Sequence, residues 1–303
     1  MKKFQNYLYP SIAVLIWGLT FVWSEVVLRV YSPMDMLFLR LCITSVLLYL
    51  LFRKKLQKIA KTDYVLVFLM AFCEPFIYFV GESYGIKYSG AGFASIMIAL
   101  IPLLTPVAAT IFLNIKSHWL VFVGLIVAFI GILMMILGGQ FQLIVDIRGI
   151  LCLSLAVISA VGYAMCVVKV SQRYNNFTIV FVQTFIAAVL FCPLFFTFGW
   201  SEFIHTPFHY EVYVNLLLLA VLGSGLAFLC FVESVKRIGP VKTTMFSNFI
   251  PIITAIGAYF IMNESIKHNQ LIGIFIVIVG LFIGQWNDLK TVIQKKVHNH
   301  QKE

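Results

Sequence analysis

Apolar runs of bilayer-spanning length recur along almost the whole chain, near residues 9–29, 34–52, 64–85, 89–113, 118–138, 147–168, 177–198, 212–235, 240–262 and 267–286. Each matches the roughly 17–25 residues that a helix needs to cross a hydrocarbon core. With 61% apolar and only 11% charged residues, the composition is not that of a soluble domain. The sequence therefore predicts an all-α integral membrane protein of ten transmembrane helices joined mostly by short loops, with the lipid bilayer as its main surroundings.

The formal net charge of +10 raises the question of nucleic acid, and the positions of the basic residues answer it. With the N-terminus inside, Lys2, Lys3, Arg53, Lys54, Lys55, Lys58, Lys61, Lys116, Lys169, Arg173, Lys236, Arg237, Lys242, Lys290, Lys295, Lys296 and Lys302 all fall on inner segments. Only Arg29, Lys87, Arg148 and Lys267 fall on outer ones, and Arg40 lies within the second span. This is the positive-inside pattern, with both termini cytoplasmic. The basic balance reports topology rather than a nucleic-acid partner, and residues 287–303 form a basic cytoplasmic tail facing water or anionic lipid.

Lys2 and Lys3 precede the first apolar run much as in a secretory signal. The run is about twenty residues long, however, and no small-x-small cleavage pattern follows before Glu25, so a retained first helix is expected. Cys42, Cys73, Cys152, Cys166, Cys192 and Cys230 all lie in apolar runs without C-x-x-C spacing; they read as small core residues.

Shifted by 149 positions, the chain matches itself. Lys87 meets Lys236, Gly90 meets Gly239, Ile101-Pro102 meets Ile250-Pro251, and Thr105 meets Thr254. Ala109, Asn114, Gly124 and Gly131 meet Ala258, Asn263, Gly273 and Gly280. Near Gly18 and Gly162 the shift drops to 144, because the connection at 199–211 is longer than its counterpart at 53–63. Each copy holds five spans, and an odd number forces the second copy to enter the membrane upside down. The prediction is two inverted five-helix repeats, an arrangement used by secondary transporters.

These residues resemble the drug/metabolite transporter superfamily in its ten-helix, EamA-type form. The resemblance covers the whole chain. It is carried by Trp17-Gly18, Arg40 after Ser32-Pro33, Pro102, Pro251, and Asn263-Glu264 shortly before Gly273 and Gly280. The first copy departs from the family pattern at Asn114-Ile115, where an acidic residue is often found. The resemblance implies a first EamA-like repeat at 1–140 and a second, inverted one at 141–286. It further implies export or exchange of a small metabolite, amino acid or drug-like compound across a bacterial-type inner membrane, without a cofactor; a homodimer is compatible with it.

Ionisable residues within a span need a partner, water or a function. Arg40 lies roughly 9 Å in from the outer end of its span at ~1.5 Å per residue. Its side chain can snorkel outward and pair with Glu25 or Glu82, or it can receive an anionic group of the substrate. Glu74 lies near the middle of its span with no Lys or Arg expected at that depth. Two readings follow: a proton-coupling or cation-binding carboxyl, or a neutral acid hydrogen-bonded to a carbonyl freed by Pro75. Tyr78 is one turn from both Glu74 and Glu82, placing all three on one face. Trp17, Phe21 and Tyr163 could complete an aromatic wall for an organic cation or aromatic metabolite.

The repeat register sets Glu74-Pro75-Phe76 against Gly223-Ser224-Gly225. Proline removes a backbone donor and glycines loosen a helix, so Pro75, Gly223 and Gly225 are expected helix hinges around a binding site between the copies, unless the glycines serve close packing alone. Pro102 and Pro251 are expected pivots or gates. His205 and His209, four apart in an outer loop without a third ligand, do not read as a metal site.

A secondary transporter working by alternating access is the expected function. The alternatives are an intramembrane transferase and a membrane receptor or scaffold. A transferase would need an embedded histidine, a cluster of aspartates or a nucleophile with its base, and none stands out. There is no G-x-x-x-x-G-K-[ST] loop to power a pump.

Overall fold

The computed structural model describes residues 2–113, 118–136, 145–262, 268–284 and 286. Among them no strand occurs. Asn114-Ile115, Asn263-Glu264 and the tail at 287–303 lie outside the described residues.

The first half begins with α1 (Lys2–Leu28) and α2 (Pro33–Phe52). Ser32 ends the turn between them and starts α2: its hydroxyl accepts from the Asp35 amide at 3.3 Å, while Asp35 Oδ2 accepts from the Ser32 amide at 3.2 Å. This reciprocal box satisfies two otherwise orphaned donors, and Pro33 occupies the first helical position where no donor is needed. Next, α3 (Tyr64–Ala71) passes through a widened stretch, Phe72–Ile77, into α4 (Tyr78–Ile98). The half closes with α5 (Ile101–Leu113) and α6 (Leu120–Ile136).

The second half repeats the order with α7 (Ile147–Val170), α8 (Asn176–Leu194), a widened stretch at Phe195–Gly199 and a short α9 (Trp200–His205). The chain continues through α10 (Tyr210–Leu218), a widened stretch at Leu219–Leu226 and α11 (Ala227–Ile238). Finally come α12 (Pro240–Met245), α13 (Ile250–Met262) and α14 (His268–Gly284). His205 ends α9 with its ring Nδ1 2.7 Å from the Ser201 carbonyl, and His209 precedes α10. Among the described residues seven helical runs are long and apolar enough to cross a membrane, with shorter apolar helices at Ile101–Phe112, Leu120–Ile132 and Leu271–Gly284.

The inversion is visible where α6 meets α14. A Cβ built on Gly124 would lie 2.4 Å from the Gly280 carbonyl, and one on Gly131 would lie 2.8 Å from the Gly273 carbonyl. Early α6 thus touches late α14 and late α6 touches early α14, so the helices run antiparallel. Gly124 and Gly131 are the repeat counterparts of Gly273 and Gly280, so the contact is self-complementary, as a two-fold interface between copies must be. Without side chains at these positions the backbones meet directly, which is how small residues hold helices together where lipid offers no hydrophobic contrast.

Pro102 and Pro251 are the second residues of α5 and α13. They stand in the first turn, just beyond short breaks at Ala99-Leu100 and Phe246–Phe249, where a missing N–H leaves no bond unmade. Outward-facing apolar side chains such as Leu50, Ile126, Phe129, Phe260 and Phe275 are more than half exposed, an arrangement suited to lipid and costly in water. Of the cysteines, Cys230 is buried and the other five are partly buried, with Cys42, Cys73 and Cys166 packed against the core.

The loops gather at two ends. At one, Asp63 forms an ion pair with Arg173 and accepts from the Tyr174 hydroxyl at 2.7 Å. Nearby, the Asn175 amide group donates to the Lys55 carbonyl at 2.7 Å and Lys236 donates to the Tyr174 carbonyl at 2.9 Å. Most segments rich in Lys and Arg therefore share this end. At the other, Tyr31 donates to Tyr213 through their hydroxyls at 3.1 Å, and Arg148 pairs with Asp146 at 2.6 Å. Hydrogen bonds from Arg148 hold the Asp146 carboxyl below its ordinary range.

Candidate functional site

A cavity lies between the halves, and Trp17, Arg40, Glu74, Tyr78, Glu82 and Tyr163 all line it. Phe21, Phe79 and Thr20 add to the first-half wall, while Phe231, Thr244, Ser247 and Ile250 come from the second. The cavity volume is about 40 Å³.

Arg40 is 1% exposed, so it does not snorkel to the surface. It also makes no ion pair within 4.0 Å with either expected partner among the described residues. Glu25 is engaged elsewhere: it pairs with Arg29 at 3.4 Å and accepts from the Ala91 amide at 2.7 Å, capping the segment that starts after Gly90. Arg40 instead turns inward. Its Nε donates to Ser224 Oγ at 2.5 Å and its guanidinium stacks over the Phe79 ring at 4.0 Å. A hydroxyl, an aromatic face and the bare backbone of Gly223 receive the cation inside the protein, which removes the need to reach water. Nη1 is buried and has no hydrogen-bond partner among the described residues.

The inward turn also corrects the expectation for Glu74. A fixed cation does reach its surroundings, since Arg40 lines the same cavity as Glu74 and Glu82. Glu82 accepts from the Tyr78 hydroxyl at 3.0 Å, along the one-turn spacing of their helix. Glu74 is 7% exposed, and its carboxyl makes no hydrogen bond to any described protein group. The carbonyl beside it, that of Cys73, is taken by the Ser159 hydroxyl at 2.5 Å. Tyr163 donates to Gln183 Oε1 at 3.0 Å.

Glu74 of the first widened stretch lines this cavity, and Leu219–Leu226 lies behind its wall, bonded to the lining residues Arg40 and Trp17. Glu74 departs from helical geometry at φ −147°, ψ 124°, and Pro75 follows without an amide donor. Leu219–Leu226 is widened at the matching place in the second half, around Gly223-Ser224-Gly225. Side chains of the opposite half hold each stretch. Ser159 of α7 bonds the first. Trp17 Nε1 donates to the Gly223 carbonyl at 3.3 Å and Thr44 to the Ala220 carbonyl at 2.8 Å in the second. Satisfying loosened backbone groups from neighbouring helices is what allows a break at membrane depth.

Sequence reasoning missed Ser224, Thr44 and Ser159 as bonding partners, and Phe231, Thr244 and Ser247 as lining. Ser224 alone had a signal, its register against Pro75; the others depend on which helices face each other.

Comparison with known proteins follows this geometry closely. The model of the EamA-like transporter family matches residues 6–137 and again 147–284. The chain belongs to this family. Several relatives resemble it over most of their length. The Bacillus subtilis protein described as uncharacterized transporter YcxC is 25% identical over 273 residues, covering 87% of each chain. An uncharacterized transporter of Archaeoglobus fulgidus is 22% identical over 93% of this chain and 98% of its own. A solved crystal structure shares the fold at a TM-score of 0.70 and 13% identity, covering 94% of this chain and 98% of that one. This EamA-like chain is thus a multi-helix membrane protein of a transporter family, and its two family matches span the two halves that meet at the glycine seam.

Proposed function

We propose that the protein is a secondary transporter that moves a small metabolite, amino acid or drug-like compound by alternating access. In this reading the direction is export or exchange, across a bacterial-type inner membrane with both termini cytoplasmic. The observation that carries it is one cavity lined by both inverted halves, holding a guanidinium, two carboxyls and an aromatic wall. Ligand pockets usually offer ~300–1,000 Å³, so a cavity this small has to widen to take a solute, and rocking of the halves would widen it toward one side at a time. Glu74, whose carboxyl has no protein hydrogen bond, is the proton-coupling group of this reading. Arg40, Glu82, Tyr78, Trp17 and Tyr163 contact the solute, and the widened stretches at Pro75 and at Gly223 and Gly225 flex.

A transferase is disfavoured by the lining, which includes no histidine, cysteine or aspartate among the described residues. The test is uptake and counterflow in proteoliposomes over a panel of amino acids, organic cations and small anions, with and without an imposed pH gradient. Saturable movement of at least one solute is expected. Folded protein that moves none under either condition would overturn the reading and leave the receptor or scaffold alternative.

A further inference from the structure

The charges in the cavity come from one half only. Arg40, Glu74 and Glu82 belong to the first half, while the described lining from the second half carries none. The second half contributes something else, a seat for the cation. Ser224 Oγ accepts from Arg40 Nε at 2.5 Å across 184 residues of sequence. A Cβ built on the neighbouring Gly223 would stand 3.2 Å from Arg40 Nη2 and 2.7 Å from Thr20 Cγ2. The guanidinium therefore rests against backbone that only glycine leaves bare.

We propose that Ser224 and Gly223 are positioning residues for Arg40, so that the second half decides where the first half's cation points. The inference rests on the transporter reading of the cavity. A guanidinium is a planar fork whose donors aim in fixed directions. Holding Nε on Ser224 and stacking the plane on Phe79 directs the remaining edge, and Nη1 on that edge is the donor left without a partner. An oxyanion group of the solute is the ligand chemistry this donor fits. The seat lies in the widened stretch Leu219–Leu226, which Thr44 of α2 also ties down, its one hydroxyl proton shared between the Arg40 and Ala220 carbonyls, each 2.8 Å away. A movement of that stretch relative to α2 would re-aim the open donor, linking solute contact to the relative position of the halves.

The test uses full-length protein in lipid nanodiscs with ¹⁵N-labelled arginine, the Arg40 Nε–H signal being assigned by its loss in Arg40→Lys. Ser224→Ala should speed exchange of that proton with water about tenfold, and Ser224→Thr, which keeps the hydroxyl, should stay within about twofold of the native protein. Exchange within about twofold in Ser224→Ala, or equally fast exchange in the threonine variant, overturns the positioning role. With the solute found in the transport panel, Ser224→Ala should raise KM about tenfold with kcat held within about twofold, and Ser224→Thr should recover KM. A fall in kcat at unchanged KM, or the same KM defect in both variants, counts against it. If no solute moves, the transporter reading fails, while proton exchange still reports on the seat of Arg40.

Discussion

Gly90 and Gly239 adopt the same backbone conformation, φ +79°, ψ 160° in the first half and φ +83°, ψ 166° in the second. They are counterparts in the 149-residue register, and each ends one helical segment and starts the next. Duplication has thus preserved a corner as well as a residue type. Positive φ with extended ψ is open to glycine and costly for any residue with a Cβ.

Alanine at either corner should therefore destabilise the protein by about 1–3 kcal/mol. Crowding would add little, since a Cβ at 239 meets nothing within 4 Å and one at 90 meets only Glu25 Oε2 at 3.9 Å. Gly92, helical and equally open, is the control: Gly92→Ala should be neutral or stabilising by about 0.5–1 kcal/mol. Thermal unfolding of the three variants in detergent checks this, and equal melting temperatures would refute the backbone account.

The glycine seam between α6 and α14 should tolerate no side chain. A Cβ on Gly280 would lie 2.5 Å from the Ala128 amide nitrogen and 2.7 Å from the Gly124 carbonyl. Backbone cannot give way as a flexible side chain can, so Gly280→Ala and its counterpart Gly131→Ala should each cost about 1–3 kcal/mol. Gly257→Ala, which meets only side-chain atoms of Leu19 and Val22 at 3.2 Å, should cost less. The order of the three melting temperatures is the readout.

Glu74→Gln should fold normally, with stability within about 0.5 kcal/mol of the native protein, because the Glu74 carboxyl makes no hydrogen bond among the described residues that the change would break. If Glu74 couples transport to protons, this variant should still exchange solute across the membrane while losing acceleration by a pH gradient. Native pH dependence in the glutamine variant would remove Glu74 from the coupling step.

Ser159→Ala leaves the Cys73 carbonyl without its donor at the first widened stretch. A loss of about 1 kcal/mol is expected, within the range measured for hydrogen bonds between membrane helices. Denaturant titration in mixed micelles would detect it, and an unchanged midpoint would mean that another donor replaces the hydroxyl.

The register of the repeat was open to reading because Gly, Pro, Asn and Lys recur at matching positions in a chain where chance matches are mostly apolar. It marked Glu74-Pro75-Phe76 against Gly223-Ser224-Gly225, and both prove to be widened stretches, the first lining the cavity through Glu74 and the second bonded to Arg40 and Trp17, which line it. The direction of Arg40 could not be read in the same way. Depth along a helix follows from a rise of ~1.5 Å per residue, but a long side chain can turn toward the surface or the interior, and its choice depends on groups from other helices.

By itself the sequence determined the all-helical membrane class, the duplication and the opposed orientation of the copies, since run length, periodic small residues and an odd span count are properties of the chain alone. Only tertiary structure decided that Glu25 caps a helix instead of pairing with Arg40, that Ser159 serves Cys73, and that Ser224 seats Arg40. Each of these is a contact between helices distant in sequence, and the packing of the two halves against each other is what brings them within bonding distance.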